Sequence, residues 1–512
     1  MAKRLKVRII QTLLGCLAAL WLALGAAAAG PWAEVGDTGL RSDIEVLSAA
    51  GVIDNITTQW PLPWGGILYR LDQPGALDGQ PNYVRDAAMR VHARGMAETE
   101  THELHASMTV DAGNGPSVVR GFDAMGRQDV QGQATLEYLW DSTVVHLAIG
   151  AQTTSQNYLW NSAVVNAVPG SQMTGHKDKQ IMLLDGSYIA QRIGNVAVYA
   201  GAMTHWWGPG WISALSLSNN ARPFPQVGIT RIDTTPFSSP VLSWLGPWQF
   251  EFLVGWLNGP RVAKNTLWDG LRFSINPLPG LEIAVARIEE LCGTGHPCKP
   301  LAEWANISNT PQNPGRDNGQ GNIDVKYSGI LANHPFEIYM QLMNEDSNPI
   351  VYSGTSHLFG ASVWIPVRRA NVRLTAEYTS SIATKNIFSF GEYRYGYAYD
   401  DSKYIDGMRY RDRTLGFSLD DDSRLASLQA SWIAPNAWTY TFSYHHVWIG
   451  SPNSLGANVV STAPVAVNIG EARIRMPLYW GALDIDARLQ DDQPRPDKGF
   501  AASIEAALTV NL

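Results

Sequence analysis

Apolar and polar residues alternate along the chain from about residue 104 to the C-terminus. Residues 372–379 set Val, Leu, Ala and Tyr against Arg, Thr, Glu and Thr, and residues 438–445 set Trp, Tyr, Phe and Tyr against Thr, Thr, Ser and His. The alternation continues from Phe500 to the last residue, Leu512. A period of two places successive side chains on opposite faces of an extended strand. Most of the chain is therefore predicted to form β-strands.

Two all-β architectures, a soluble β-sandwich and a membrane barrel, give each strand one apolar and one polar face. The length of the alternating region distinguishes between them. A soluble β-sandwich of this length would normally divide into smaller domains joined by visible linkers, and none is evident. A membrane barrel turns apolar and aromatic side chains to lipid and polar ones to the lumen, and the 19 Trp and 19 Tyr residues suit its aromatic girdles. We predict a mainly β protein in which residues 101–512 form a transmembrane antiparallel β-barrel of about 16–18 strands.

Residues 30–100 have the period of amphipathic helices instead. Asp37 or Thr38 can cap a first helix that Gly51 ends, with an apolar stripe of Leu40, Ile44 and Leu47. Asn82 can cap a second helix that Gly95 ends, with a stripe of Val84, Ala87, Ala88 and Val91. Two short helices cannot bury their stripes alone. We therefore predict a small N-terminal α-helical periplasmic segment that caps or plugs the barrel.

Residues 1–29 have the features of a cleaved signal peptide. An apolar run that ends in small residues follows four basic residues, Lys3, Arg4, Lys6 and Arg8. Cys16 has a lipoprotein-like context, but the apolar run continues well past it, which favours ordinary cleavage. No later stretch of about 18 apolar residues could span a membrane as a helix. The chain is therefore predicted to be exported to the outer membrane of a Gram-negative-type cell.

The net charge and the cysteines indicate which ligands and which covalent cross-link the chain can have. The formal net charge is −8, and removal of the basic signal makes it more negative, which argues against nucleic acid. In an exported chain, the close pair Cys292 and Cys298 is predicted to form a disulfide, with two free thiols as the alternative. A metal site is disfavoured because His296 adds only one further ligand. We expect neither a metal nor another cofactor.

Two segments have the chemistry of a carbohydrate site. A sugar offers apolar C–H faces and a rim of hydroxyls, so its binder needs flat aromatic rings beside amide, carboxylate or guanidinium groups. The first set of candidates is Trp206, Trp207, Trp211, Asn219, Asn220 and Arg222. The second is Tyr397, Tyr399, Asp400, Tyr404, Asp406 and Arg409. The alternative for the tryptophans is packing inside the barrel or at its girdle, and for the tyrosines one face of a strand.

Catalysis and transport are the rival functions. No Gly-x-Ser-x-Gly elbow is present, and Ser443 and His445 only share the polar face of one strand. We therefore predict that the protein is not an enzyme. A porin-like channel for small solutes or saccharides is the alternative, because a barrel this wide must be either plugged or open. The helical segment and long loops around residues 294–320 and 388–413 favour a plugged lumen.

Three groups of motifs resemble the Wzi-type capsule assembly outer-membrane proteins. The N-terminal group is Gly36-Asp37, Leu40-Arg41, Leu47 and Trp60–Trp64. The central group is Trp207–Trp211, Leu215–Pro225 and Leu242–Trp248, and its run of Trp, Pro and Asn is specific. The C-terminal group is Tyr404–Arg413, Leu415-Gly416 and Asp420–Ser423. The resemblance thus covers nearly the whole mature chain, in order.

The resemblance implies an outer-membrane barrel of about eighteen strands with a periplasmic helical bundle and long surface loops. It also implies a protein that binds surface polysaccharide and helps attach or assemble a capsule or exopolysaccharide layer. The expected partners are a capsular or extracellular polysaccharide, outer-membrane lipids and, during insertion, the barrel-assembly machinery.

Overall fold

Eighteen antiparallel strands close into one barrel. The computed structural model describes residues 32–512 apart from residues 55, 116, 124–129, 154–179, 260, 299–317, 346–353, 387, 388, 390, 402, 412, 455–457, 462 and 495–498. The predicted signal peptide at residues 1–29 lies outside the described residues, and so does most of the long loop around residues 294–320.

The strands follow one another around the barrel in chain order. Their bounds are Leu104–Gly113 (β1), Val130–Leu139 (β2), Thr143–Thr153 (β3), Gln180–Leu183 with Tyr188–Ile193 (β4), Val196–Gly201 (β5), Gln226–Arg231 (β6), Trp248–Leu257 (β7), Thr266–Leu278 (β8), Leu281–Cys292 (β9), Asn318–Leu331 (β10), His334–Glu345 (β11), Thr355–Val367 (β12), Ala370–Thr384 (β13), Arg424–Ile433 (β14), Thr439–Ile449 (β15), Val465–Leu478 (β16), Gly481–Gln490 (β17) and Ala501–Asn511 (β18). β18 pairs with β1 and closes the wall. The predicted mainly β barrel is confirmed, with a strand number at the top of the predicted range.

The alternation along each strand separates an apolar outer face from a polar lumen. On β13, Arg373 and Glu377 are buried inside the barrel, whereas the residues that follow each of them, Leu374 and Tyr378, are about two-fifths exposed on the outside. The same outward exposure recurs on neighbouring strands at Leu428, Trp432, Phe442 and Tyr444. An apolar exterior around a polar interior is the arrangement of a barrel that sits in lipid.

In the described residues from 32 onward, three helices precede the barrel: Thr38–Ala49 (α1), Trp64–Leu71 (α2) and Asn82–Glu98 (α3). The carboxylate of Asp37 caps α1 by accepting a hydrogen bond from the Leu40 backbone N–H at 2.9 Å. Gly51, with a φ of +69°, follows its end as predicted. Within the described residues, no helix is long and apolar enough to cross a membrane.

Two details of the predicted second helix are wrong. Asn82 is the first residue of α3 rather than its cap, because Pro81 occupies the N-cap position. Gly95 does not end α3, which continues to Glu98. A Cβ at Gly95 would lie 2.9 Å from side-chain atoms of both Leu68 and Trp64, so this glycine allows close approach of α2 and α3.

Helix α1 lies within the barrel, because its polar residues are bonded to the wall and to an inward-folded loop. Arg41 donates hydrogen bonds to the backbone oxygens of Pro209 and Gly210 at 2.8 and 2.9 Å. Ser42 accepts a hydrogen bond from the indole of Trp364 on β12 at 2.7 Å. Glu45 forms a buried ion pair with Lys326 on β10 at 2.8 Å. The helix therefore forms part of a plug.

Two loops complete the plug. Residues 202–225, between β5 and β6, turn inward, and Trp206-Trp207 forms a short antiparallel ladder with Gln59-Trp60 of the N-terminal segment. Residues 398–423, between β13 and β14, meet this loop where the Ser218 N–H donates to the Leu415 oxygen at 2.8 Å. Cys292 and Cys298 at the end of β9 form the predicted disulfide, with their Cα atoms 4.5 Å apart.

We predict that Arg41→Ala destabilises the plugged barrel by about 3 kcal/mol, because two hydrogen bonds from a buried cation are lost. Guanidinium unfolding in detergent micelles, followed by tryptophan fluorescence, measures this loss. Arg85→Ala on the exposed face of α3 is the matched control and should leave the midpoint unchanged. Equal midpoints for both variants would contradict the anchoring role of Arg41.

Candidate functional site

The three candidate tryptophans lie inside the barrel, and each is no more than 2% exposed. The indole N–H of Trp206 donates to the Gly210 oxygen at 3.0 Å within the same loop. The indole of Trp207 donates to Glu251 on β7 at 3.1 Å, and that of Trp211 donates to Glu337 on β11 at 2.6 Å. Their polar edges are thus satisfied by the protein itself.

Trp211 lies between two arginines. The guanidinium carbon of Arg41 is 4.1 Å from the ring centroid, and that of Arg373 on β13 is 3.5 Å from it. Cations at this distance are attracted to the face of an indole. In this structure the ring offers no face to a sugar, and direct contact between the candidate tryptophans and a glycan stays a prediction.

The remaining candidates of the first segment bond loop 202–225 to its neighbours. The Asn219 amide donates to the backbone oxygens of Gly121 and Phe122, and the Asn220 amide donates to both oxygens of Thr414. Arg222 forms two hydrogen bonds of 2.9 Å with Asp185. These contacts fix the position of the loop, and binding of a glycan by these side chains stays a prediction.

Glu377 on β13 is the main anchor of this loop and is not among the residues that the sequence singled out. Its carboxylate accepts hydrogen bonds from the backbone N–H groups of Trp211, Ile212 and Ser213 at 2.8, 3.3 and 2.7 Å. The hydroxyl of Tyr339 donates to it at 3.0 Å. One wall carboxylate thus satisfies three successive backbone donors that enter the lumen.

Other wall residues hold the plug in the same way. Glu251 accepts hydrogen bonds from Tyr199 at 2.8 Å and from Gln59 at 3.1 Å. Gln341 on β11 accepts one from the Leu215 N–H at 2.7 Å and donates one to the Trp207 oxygen at 3.0 Å. The alternation of the strands marks these side chains as inward-facing, but nothing in the sequence pairs them with their distant partners.

The second candidate segment is centred on the buried Arg409. Its guanidinium contacts Asp400 at 2.7 Å and Asp420 at 2.6 Å. Tyr399 is fully buried, and its hydroxyl donates to the Leu215 oxygen at 2.6 Å and accepts from the Phe417 N–H at 3.0 Å. The structure therefore brings the two predicted segments together inside the barrel, through contacts between their loops.

Tyr404 and Asp406 connect this segment to two further loops. The Tyr404 ring is fully buried beneath His296 of the disulfide loop, with the ring centroids 4.1 Å apart. Asp406 accepts a hydrogen bond from the Val262 N–H at 2.8 Å and lies 3.8 Å from the Arg261 guanidinium. Both candidates pack within the protein, and a role in sugar contact stays a prediction.

Three successive aspartates, Asp420, Asp421 and Asp422, are fully buried beside Arg409. The Asp422 carboxylate accepts a hydrogen bond from the Gly396 N–H at 2.8 Å, whereas among the described residues neither carboxylate oxygen of Asp421 has a hydrogen-bond partner. Burial raises the pKa of Asp422 to about 6 and that of Asp421 well above its usual range. Among the described residues, no group of three or more His, Cys, Asp or Glu side chains is arranged to hold a metal ion.

The exposed residues of this region are Tyr397, at the start of the second segment, and the residues just before it. Tyr393 is 44% exposed, and its ring centroid lies 6.2 Å from that of Tyr395. The guanidinium of Arg394 lies 5.7 Å from the centroid of the half-buried Tyr397. We refer to Tyr393, Arg394, Tyr395 and Tyr397 as the rim cluster. It presents flat rings and a cation at the end of the barrel opposite the helices, which is the chemistry that a sugar requires.

A cavity of about 830 Å³ lies at the helical end of the barrel, between the helices and the wall. It borders a much smaller space of about 20 Å³ deeper in the barrel, and Asp123 and Arg473 line both. Arg473 pairs with Asp123 at 2.7 Å and with Asp486 at 2.6 Å. A salt-bridged arginine therefore separates the open end from the interior.

Comparisons with known proteins agree with this architecture. A family model described as capsule assembly protein Wzi matches residues 101–492. A Klebsiella pneumoniae protein described as an uncharacterized 55.8 kDa protein in the cps region is 24% identical over 368 residues, which are 70% of this chain and 66% of that protein, slightly less than two thirds of its length.

One solved structure covers almost the whole chain. It is Wzi of Escherichia coli, described as an outer membrane protein involved in group 1 capsule assembly and as a carbohydrate-binding β-barrel. The two structures have a TM-score of 0.77 at 19% identity, over 93% of this chain and 98% of that one. This likeness shows a shared fold.

We predict that Glu377→Ala releases loop 202–225, because three backbone N–H groups lose their acceptor inside the barrel. Protease cleavage within the loop should become at least about tenfold faster, since the lost contacts exceed roughly 1.4 kcal/mol. Thr375→Ala, two residues earlier on the same inward face, is the control and should keep the loop protected. Unchanged cleavage in Glu377→Ala would show that other contacts fix the loop.

We predict that the plug loses stability as the pH rises from about 4 to 6. The pKa of Asp422 in the fold, about 6, lies above its ordinary value of 3.8, so the folded protein binds more protons than the unfolded chain across this interval. Burial raises the pKa of Asp421 as well, so Asp421→Asn should flatten this dependence. It should also raise stability at pH 8, because it removes a buried carboxylate that has no hydrogen-bond partner in the described part of the chain. Asp72→Asn, at an exposed site, is the control. Unfolding midpoints measured from pH 4 to 8 test both statements, and a profile that Asp421→Asn leaves unchanged would contradict them.

Proposed function

Because the chain belongs to the capsule assembly protein Wzi family, we propose that it is an outer-membrane barrel that binds a surface polysaccharide and helps attach or assemble a capsule or exopolysaccharide layer. The carbohydrate binding and capsule assembly named for the Escherichia coli structure support this proposal. We further propose that residues 1–29 direct export, that the barrel-assembly machinery inserts the chain, and that residues 30–100 and 101–512 are its helical and barrel domains.

The faces of the wall support the membrane location. Outward side chains such as Leu428 and Phe442 are more than 60% exposed, whereas inward ones on the same strands, such as Ser427 and Ser443, are buried. In water, so continuous an apolar belt would cause association, and in a bilayer it is the favourable surface. Outer-membrane lipids are thus its proposed surroundings.

The filled lumen supports binding rather than transport, and this observation carries the proposal. Glu377 and Gln341 hold loop 202–225 across the interior, and Arg41 joins that loop to α1. Passage of a sugar would require these buried hydrogen bonds to break together. We therefore propose a binding protein, without catalysis, in preference to a porin-like channel.

The rim cluster is the proposed point of contact with the polysaccharide. Tyr397 and Asp400 are the members of the second predicted segment that remain partly exposed. The Gly396 N–H, between the rim tyrosines, is bonded to Asp422, so the plug holds the cluster in place. In this proposal the buried candidates act indirectly, by positioning exposed rings that stack on the C–H faces of a sugar.

We predict that Tyr393→Ala combined with Tyr397→Ala weakens binding of the host's own surface polysaccharide by about tenfold, the loss expected from two aromatic contacts of about 0.7 kcal/mol each. Biolayer interferometry on purified protein measures it. Tyr479→Ala is the matched control, because Tyr479 is 97% exposed in the β16–β17 turn at the opposite end of the barrel. No affinity in the unmodified protein, or equal affinity in all variants, would contradict the proposal.

Two further measurements separate the function classes. A gene deletion should increase shed polysaccharide at the expense of cell-bound polysaccharide, and the rim variant should fail to restore attachment where the Tyr479 variant succeeds. Purified protein in planar bilayers should stay silent. Steady open channels would favour the porin-like alternative instead.

A further inference from the structure

The outer wall carries a recessed apolar groove of about 750 Å³. It crosses the strands from β10 to β15 and lies on the face that points away from the lumen. Its floor is formed by small residues, Ala361 and Ala376. Its sides are formed by Ile338, Phe359, Tyr378 and Leu428, which are 53%, 37%, 39% and 62% exposed.

Strand register explains the groove. Ile338, Ala361, Ala376 and Leu428 lie directly opposite one another on four successive strands, so two alanines lie between two large side chains in one row. In the next row toward the long loops, Phe359 pairs with Tyr378. Since paired residues project to the same face, the two alanines leave a depression that larger neighbours enclose.

Arg424 lies at the long-loop end of this groove. It is the first residue of β14 and shares the outward face with Leu428, about 13 Å away along the strand. Its guanidinium is 4.9 Å from the centroid of Tyr393. Within the described part of the chain no ion pair to Arg424 forms, and its buried Nε has no hydrogen-bond partner. By contrast, the inward-facing Arg272 on β8 is paired with Asp324 at 2.6 Å.

We propose that this groove docks one acyl chain of a lipid whose headgroup phosphate is bound by Arg424. The proposal rests on the outer-membrane location argued above. An acyl chain fits a depression one side chain deep, and a phosphate supplies the anion that Arg424 lacks. The convex wall of a second copy of the barrel would offer neither a thin apolar chain to fill the depression nor an anion beside Arg424.

Native mass spectrometry of the full-length detergent-purified protein tests this, with diphosphorylated lipid A as the probe and its dephosphorylated form as the comparison. Arg424→Gln should weaken binding of the phosphorylated lipid about tenfold and leave the dephosphorylated lipid unaffected. Ala376→Phe fills the groove and should weaken both. Lys385→Gln, which removes an exposed cation already paired with Glu392, and Ala472→Phe, on β16 outside the groove, are the matched controls.

Polysaccharide binding is measured on the same preparations, so that loss of lipid binding is distinguished from failure of the proposed function. An unfolding midpoint equal to that of the unmodified protein shows that Arg424→Gln is folded, since its side chain contacts Tyr393 of the rim cluster, and retained glycan affinity shows the same for Ala376→Phe. Lipid affinity equal to that of the unmodified protein in Arg424→Gln and Ala376→Phe would overturn the proposal. So would a dimer that Ala376→Phe converts to a monomer, because a second copy would then be the occupant.

Discussion

A barrel of eighteen strands encloses more space than its own inward side chains can fill, and any backbone that enters this space must find hydrogen-bond partners there. Carboxylates on the wall meet this requirement. Glu377 bonds three successive N–H groups of loop 202–225, and Glu282 on β9 bonds the N–H of Thr57 and the hydroxyl of Thr58. The plug is therefore a consequence of how the wall places its charges.

This interior gives the exposed surface its rigidity. Within the long loop between β13 and β14, Arg409 is paired with Asp420 and Asp422 accepts a hydrogen bond from the Gly396 N–H, and His296 in the disulfide loop packs against Tyr404. A binder whose contact residues are already ordered loses less conformational entropy when the ligand arrives. Buried polar residues can thus contribute to recognition without contacting the ligand.

The wall could be predicted from the sequence because alternation reports directly which side chains face which solvent. The disulfide and the resemblance to the Wzi family were likewise confirmed. The sequence could not predict that loop 202–225 folds into the lumen, since Trp, Asn and Gly suit an exposed sugar site and a buried plug equally well. Helix α2 was missed because only Trp64 and Ile67 of its residues are buried, and Asn82 was misplaced because Pro81 serves as the cap.

The ladder between Gln59-Trp60 and Trp206-Trp207 lies inside the closed wall and joins parts of the chain that are made far apart in time. The N-terminal segment leaves the ribosome before any strand of the barrel, yet its partners on β10, β11 and β12 are synthesised much later. The contacts of Arg41 and Glu45 on α1 therefore cannot form until loop 202–225 and β10 are in place. Closure of the interior therefore depends on later parts of the chain, although the segment that fills it precedes every strand of the barrel in the sequence.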